Sequence, residues 1–209
     1  MTVSGTDERV LVSYLTLRRV VGCLGVALPV VLAVWGFALC DCLQIQPSLS
    51  DYYRLRTRDA LVGILFTLAW FLFTYRGYDR RDAVAGDLGC VFALGVALFP
   101  NSGSASEKTV HFGSALALFL VLSCYCLFLF TESRGFPTPE KKIRNRIYRI
   151  CGVSMLVCIA LVGLFYWRFQ HARIAALKPV FWLESLALWA FGISWFVKGE
   201  TLWKDGSTA

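Results

Sequence analysis

Residues 178–199 read KPVFWLESLALWAFGISWFVKG. A lysine stands near each end, and Glu184 is the only charged residue between them. A run of this kind, from about 179 to 197, is close to the roughly 20 residues that a helix needs to cross a hydrocarbon core. Inside lipid no water pairs with backbone N–H and C=O groups, so the run takes the helix, which pairs them internally. Pro179 suits a first helical turn, and Gly199 stands where a helix C-cap is expected.

The same pattern recurs along the chain and decides the fold. Spans are expected at about 20–40, 59–75, 83–99, 111–130, 148–167 and 179–197. The chain has 209 residues, 57% of them hydrophobic and 17% charged. Soluble domains carry about a quarter charged residues, spread along the chain rather than bunched between apolar runs. A membrane barrel would alternate apolar and polar residues over segments of about ten, and these runs are continuous. The expected fold is therefore an all-α polytopic membrane helical bundle, one integral membrane domain over 1–209, with six transmembrane helices. The first run follows Arg18-Arg19 as a signal core would, yet it continues to Cys40. No small-x-small cleavage site precedes Cys40-Asp41-Cys42, so it reads as a retained span. The third run, with Gly86, Gly89 and Gly95, is expected inside the bundle, where small residues let helices approach. Pro137 and Pro139 interrupt any helix through 131–147.

Orientation follows from lysine and arginine placement. With the N-terminus inside, fourteen fall on the inner side: Arg9, Arg18, Arg19, Arg76, Arg80, Arg81, Arg134, Lys141, Lys142, Arg144, Arg146, Arg149, Lys198 and Lys204. Seven fall outside: Arg54, Arg56, Arg58, Lys108, Arg168, Arg173 and Lys178. Both termini are expected in the cytoplasm. The net charge of +7 then belongs to span edges and anionic lipid rather than to nucleic acid. In particular, Lys141, Lys142, Arg144 and Arg146 are expected to meet acidic headgroups at the cytoplasmic face. Most of the eight cysteines lie in apolar runs as small hydrophobes. Cys40 and Cys42 have no zinc-type spacing around them. No disulfide framework, metal or cofactor is expected.

The outer side carries polar groups that need a reason. Residues 47–66 read PSLSDYYRLRTRDALVGILF. On a helix beginning near Ser50, Tyr52, Arg56, Asp59 and Gly63 share one face, Arg56 and Asp59 are spaced to pair, and Ser48 or Ser50 caps the start. Gly63 would let another helix close on that face. The plainer alternative is an interfacial anchor, with tyrosines and arginines at headgroup level. His111 opens span four at the same side. Glu184 lies five residues beyond Pro179, roughly 7–8 Å deeper at 1.5 Å per residue. A carboxylate at that depth needs a partner, and Arg56, Arg58, Arg168 and His111 are the candidates. Asp59, His111 and Glu184 fall in the outer third of three spans. The expected ligand-binding set is Tyr52, Arg56, Arg58, Asp59, His111 and Glu184; no catalytic or metal-binding residue is assigned.

The segments SDYYRLRTRDALVGILFTLAWFLFTYRGYD, GCVFALGVALFP, HFGSALALFL, KKIRNRIYRICG and FWLESLALWAFGISWFVKGE occur in that order. In this the chain resembles uncharacterised bacterial six-span membrane proteins, the DUF998-like set, over about residues 45–200. The resemblance implies the topology and a cytoplasmic (inner) membrane location, and no chemistry. Those relatives read Tyr-Tyr-His where this chain has Tyr52-Tyr53-Arg54. A weaker likeness, through Pro-x-x-Ser in the first outer loop, is to the Frag1/DRAM/Sfk1 membrane proteins. Ceramidase-like hydrolases use three histidines on zinc, and this chain has only His111 and His171.

The function expected is a non-enzymatic membrane protein that binds a lipid headgroup or small anionic ligand in an outer-facing polar pocket. The alternatives are a structural subunit with a protein partner or a homo-oligomer, and an intramembrane hydrolase using Asp59, His111 and Glu184. A proton-coupled transporter relayed by Glu184 ranks below these.

Overall fold

The structure, a computed structural model, describes residues 5–39, 44–77, 79–133 and 136–201. Cys40, Cys42, Tyr78, Arg134 and Lys204, and the side chain of Arg9, lie outside the described residues. Each apolar run forms a helix: α1 (Gly5–Leu39), α2 (Arg58–Thr74), α3 (Arg80–Leu98), α4 (Ala105–Cys124), α5 (Pro139–Arg168) and α6 (Pro179–Lys198). No strand occurs among the described residues. Among the described residues four segments are long and apolar enough to cross a membrane: Tyr14–Ala38, Ala105–Leu129, Pro139–Arg168 and Pro179–Lys198. By contrast, α2 has 17 residues, and α3 carries Arg81, Asp82 and Asp87.

Local chemistry places the helix ends, and they differ from the limits of the apolar runs. At α3 the Asp79 carboxylate accepts from the Arg81 N–H at 2.8 Å, and the Asp82 carboxylate accepts from the Asp79 N–H in return. Ser104 and Glu107 make the same reciprocal pair at α4. Each pair satisfies two N–H groups that the first turn leaves open. At α5 the Thr138 hydroxyl accepts from the Lys141 N–H at 3.1 Å, with Pro139 as the first helical residue. This cap starts α5 nine residues before the expected span at 148, because a helix begins at its cap and not where lipid begins. At the end of α6 Gly199 is the C-cap, as expected, with φ −78°, and the left-handed residue is the one after it, Glu200 (φ 53°).

Each helix packs on the next in sequence, and α6 closes on α1. Leu61, Leu65, Leu68 and Leu72 form the buried stripe of α2, spaced as one helical face. The α1–α6 contact brings backbone against backbone at two glycines. A Cβ built on Gly22 would lie 2.9 Å from the Gly192 carbonyl oxygen, and one on Gly192 would lie 2.7 Å from the Gly22 oxygen. Likewise, a Cβ on Gly86 would lie 2.5 Å from the Leu72 oxygen of α2. Gly63 faces open space, with nothing within 4 Å of its Cβ position, so no helix closes on that face as the spacing suggested. Outside, the bundle shows Val34, Trp35, Trp70, Val91, Phe128 and Trp167. An apolar exterior of this extent matches lipid rather than water.

Two ends are distinct. The loops 44–57, 99–104 and 169–178 meet at one, here called the Tyr52 end. Arg76 and the end of α6 meet the Tyr14–Arg19 part of α1 at the other, where Phe130 packs on Trp195; it is called the Trp195 end.

The glycine contacts generate a test. Overpacking of this kind costs about 1–3 kcal/mol, so Gly192→Val is expected to lower the thermal midpoint in detergent. Gly63→Ala is expected to hold or raise it, by up to about 1 kcal/mol, because alanine suits a helix better than glycine. Equal midpoints for both variants would refute the backbone contact.

Candidate functional site at the Tyr52 end

The stretch beginning at Ser50 is not one helix. Ser50–Arg54 forms a short 3₁₀ turn, Leu55 is extended, and α2 begins only at Arg58. The shared face expected for Tyr52, Arg56 and Asp59 is therefore broken. Tyr52 turns inward, 1% exposed, and its ring lies against Gly36 of α1 and 6.2 Å from the Phe181 ring. A Cβ at position 36 would sit 2.9 Å from that ring, so a residue without a side chain admits the tyrosine. Arg56, Arg58 and Asp59 stay exposed. Among the described residues Arg56 and Asp59 make no ion pair with each other. Arg58 instead lies over the Tyr53 ring, 4.7 Å from its centroid, and donates to the Tyr53 hydroxyl at 3.3 Å.

His111 and Glu184 do meet, through the loop between them. The Glu184 Oε2 accepts from the Leu49 N–H at 2.7 Å. This backbone amide takes the place of the arginine and histidine partners expected for it. His111 is fully buried. Its Nδ1 lies 2.7 Å from the Phe99 carbonyl oxygen and its Nε2 lies 2.9 Å from Ser50 Oγ. A carbonyl only accepts, so Nδ1–H donates to Phe99, and in the neutral ring Nε2 accepts from the Ser50 hydroxyl. Consecutive residues of one loop are thus held by α6 and α4.

Further bonds seat the same loop. The Phe181 N–H donates to the Pro47 carbonyl at 3.0 Å, and the Lys178 ammonium donates to the Ile45 carbonyl. Asp51 accepts from the Ser48 hydroxyl and from Asn101 Nδ2, each at 2.9 Å. Sequence reasoning missed Asp51 and Asn101. The S-x-x-D spacing of Ser48 and Asp51 was the available signal, since such a pair bonds locally at a turn.

Two cavities adjoin this loop. One, of about 470 Å³, lies between α4, α5 and α6 and is lined by Phe112, Ala115, Phe119, Val162, Gly163, Tyr166, Leu183, Ala187 and their apolar neighbours. Glu184 is its only ionisable carboxylate. The other, of about 440 Å³, is of mixed lining: Asp51, Arg54, Asn101, Gln170 and Lys178 stand beside Pro47, Phe112, Phe165 and Val180. Phe112 and Tyr166 line both. Tyr52, Arg56, Arg58, Asp59 and His111 line neither. No group of three His, Cys, Asp or Glu side chains placed to hold a metal ion occurs among the described residues.

At the other end, the four basic residues expected at acidic headgroups divide by face. Lys142 and Arg146 are exposed, whereas Arg144 is buried and Lys141 half-buried.

Removing the Glu184 carboxylate leaves the Leu49 N–H without its acceptor, which costs about 1–3 kcal/mol. Glu184→Leu is therefore expected to speed amide exchange at Leu49 and across 48–52, and Asp59→Ala to leave it unchanged. Unaltered exchange in the Glu184 variant would show that the bond does not hold the loop.

Compared with known proteins, the chain matches no family model, no curated protein and no solved structure.

Proposed function

We propose that this chain is a six-span integral membrane protein that binds a phosphate-bearing membrane lipid at its Tyr52 end. The acyl chain lies in the apolar cavity between α4, α5 and α6, and the headgroup lies in the mixed one. The observation that carries this reading is that an almost wholly apolar cavity adjoins, across Phe112 and Tyr166, one whose lining includes charged and amide side chains. A site that is apolar along one part and partly polar along the adjoining part fits an amphiphile. Cationic side chains suit phosphate, and Arg54 and Lys178 border the mixed cavity. Asn101 and Gln170 add amide groups. The apolar cavity opens between helices whose outer surfaces are themselves apolar, so a lipid enters it sideways from the bilayer. The expected set is thereby redrawn: Glu184 stays within the site, and His111 and Tyr52 support the loop that borders it.

The six-span topology rests on connectivity. Helices α2 and α3 run between the same two ends as α1 and α4, which are long enough to span. The 17 residues of α2 reach about 25 Å at 1.5 Å per residue. Among the described residues twelve lysines and arginines then lie on the Trp195 side against seven on the other, a bias that favours a cytoplasmic Trp195 end.

Two measurements test these readings. Gly163 lines the apolar cavity, and nothing lies within 4 Å of its Cβ position, so a side chain can start there and Gly163→Phe is the substitution that takes up cavity space. Native mass spectrometry is expected to show phospholipid on the wild-type protein, at least tenfold less on Gly163→Phe, and a weakened hold in Arg54→Gln. Equal lipid occupancy in all three proteins would sink the lipid site. For topology, Arg173→Cys in intact cells is expected to react with a membrane-impermeant maleimide above the wild-type level. Labelling only after lysis would reverse the orientation.

A further inference from the structure

Helix α5 is longer than a membrane requires. Its 30 residues reach about 45 Å at 1.5 Å per residue, against a hydrocarbon core of about 30 Å. From Ile150 to Trp167 it carries no Asp, Glu, Lys or Arg, and that run alone reaches about 27 Å. The excess therefore lies at the start of the helix, where Lys141, Lys142, Arg144, Arg146 and Arg149 stand. This start belongs to the Trp195 end. The Lys141 ammonium donates to the Phe130 carbonyl at 2.8 Å, and the Phe130 ring lies 5.4 Å from the Trp195 ring.

Burial divides the start of α5 by face. Arg144, Tyr148, Cys151 and Met155 are buried, three or four residues apart, and form the inward stripe. Lys142, Arg146, Arg149, Val153 and Val157 are exposed. They too are three or four apart throughout, so they make one outward line on the opposite face. The line is basic at its start and apolar beyond. Arg149 adjoins the edge of the uncharged run, and Lys142 lies about 10 Å farther out. The headgroup region adds roughly 5–8 Å to each side of the hydrocarbon core, and long basic side chains bend to keep their charge at its level. The three cations thus stand at headgroup depth and the two valines at acyl-chain depth. No acidic residue shares the line, and among the described residues Lys142, Arg146 and Arg149 make no ion pair.

We propose that this outward line of α5 is a docking surface for anionic phospholipid in the leaflet at the Trp195 end. Lys142, Arg146 and Arg149 take the charged headgroups, and Val153 and Val157 lie along the acyl chains. Basic side chains at a membrane surface attract anionic lipid in this way, and arginine presents a planar fork matched to phosphate. The occupant is a lipid rather than an acidic protein, because the cations continue without a break into an apolar line. An amphiphile is anionic at the first level and apolar at the next. Lys141 and Arg144 take no part, since they turn toward the bundle. The surface depends on α5 crossing the membrane and is separate from the Tyr52-end lipid site.

The test uses the full chain in vesicles of equal parts phosphatidylglycerol and phosphatidylcholine with matched acyl chains. A benzophenone amino acid replaces either Ile150, exposed beside the line, or Val91, exposed on α3. Irradiation and mass spectrometry give the ratio of the two lipids crosslinked at each position. At position 150 phosphatidylglycerol is expected to exceed phosphatidylcholine by about threefold or more, and at position 91 the two are expected to be equal. The excess at 150 is expected to vanish in the triple variant Lys142→Gln, Arg146→Gln, Arg149→Gln and to shrink as salt rises. It is expected to persist in Gly163→Phe, which bears on the Tyr52-end site alone. If the triple variant does not fold, Arg149→Gln alone decides, with the excess at least halved. An acidic protein partner at this face would leave the lipid ratio at one. Equal crosslinking of the two lipids at 150, the same excess at 91, or an excess that survives these substitutions overturns the proposal.

Discussion

The hydrogen bond from the Leu49 N–H to Glu184 is the contact on which the Tyr52 end depends. A carboxylate on an apolar helix must find a partner inside the protein, because lipid offers none. The partner here is a backbone amide of the loop between α1 and α2. That choice ties α6 to a segment far away in sequence. His111 then takes the next residue, Ser50, and spends its other nitrogen on Phe99. With Asn101 on Asp51, the loop between α1 and α2 is tied to α4, to α6 and to the α3–α4 connection by hydrogen bonds. The mixed cavity is lined by Pro47, Asp51 and Arg54 of this loop, and the apolar one meets the loop through Glu184.

The opposite end solves a related problem with other means. Helices α1 and α6 touch through Gly22 and Gly192, a contact that packing alone can drive between helices in lipid. That approach continues to the end of α6, where Arg19 Nε donates to the Gly199 carbonyl at 3.1 Å. Gly199 is needed there for space rather than for a left-handed turn: a Cβ would lie 3.0 Å from Arg19 Cγ. Close helices draw Arg18 and Lys198 in among aromatic rings instead of letting them reach the water.

Much was legible before any coordinates. Apolar runs between bunched charges marked all six helices, because lipid leaves the backbone few other options. The depth of Glu184 followed from counting residues beyond Pro179. Other features were not legible. The break at Leu55 separates Tyr52 from Arg56 and Asp59, and a spacing rule that assumes one helix cannot register it. The wrong reason for Gly63 came from the same assumption. Among charged residues, Lys141 and Arg144 point inward while Lys142 and Arg146 point outward, although the count for orientation treats them alike.

The sequence by itself determined the class of the molecule: apolar helices, their order, and one deep carboxylate that required a partner. Those features are local, since each rests on a run of neighbouring residues and on the solvent they meet. The tertiary structure alone decided which partner Glu184 takes, where the two cavities lie, and which cations are buried. These depend on distances between helices, and such distances are set by side chains that are remote in sequence, such as Gly36 beneath Tyr52.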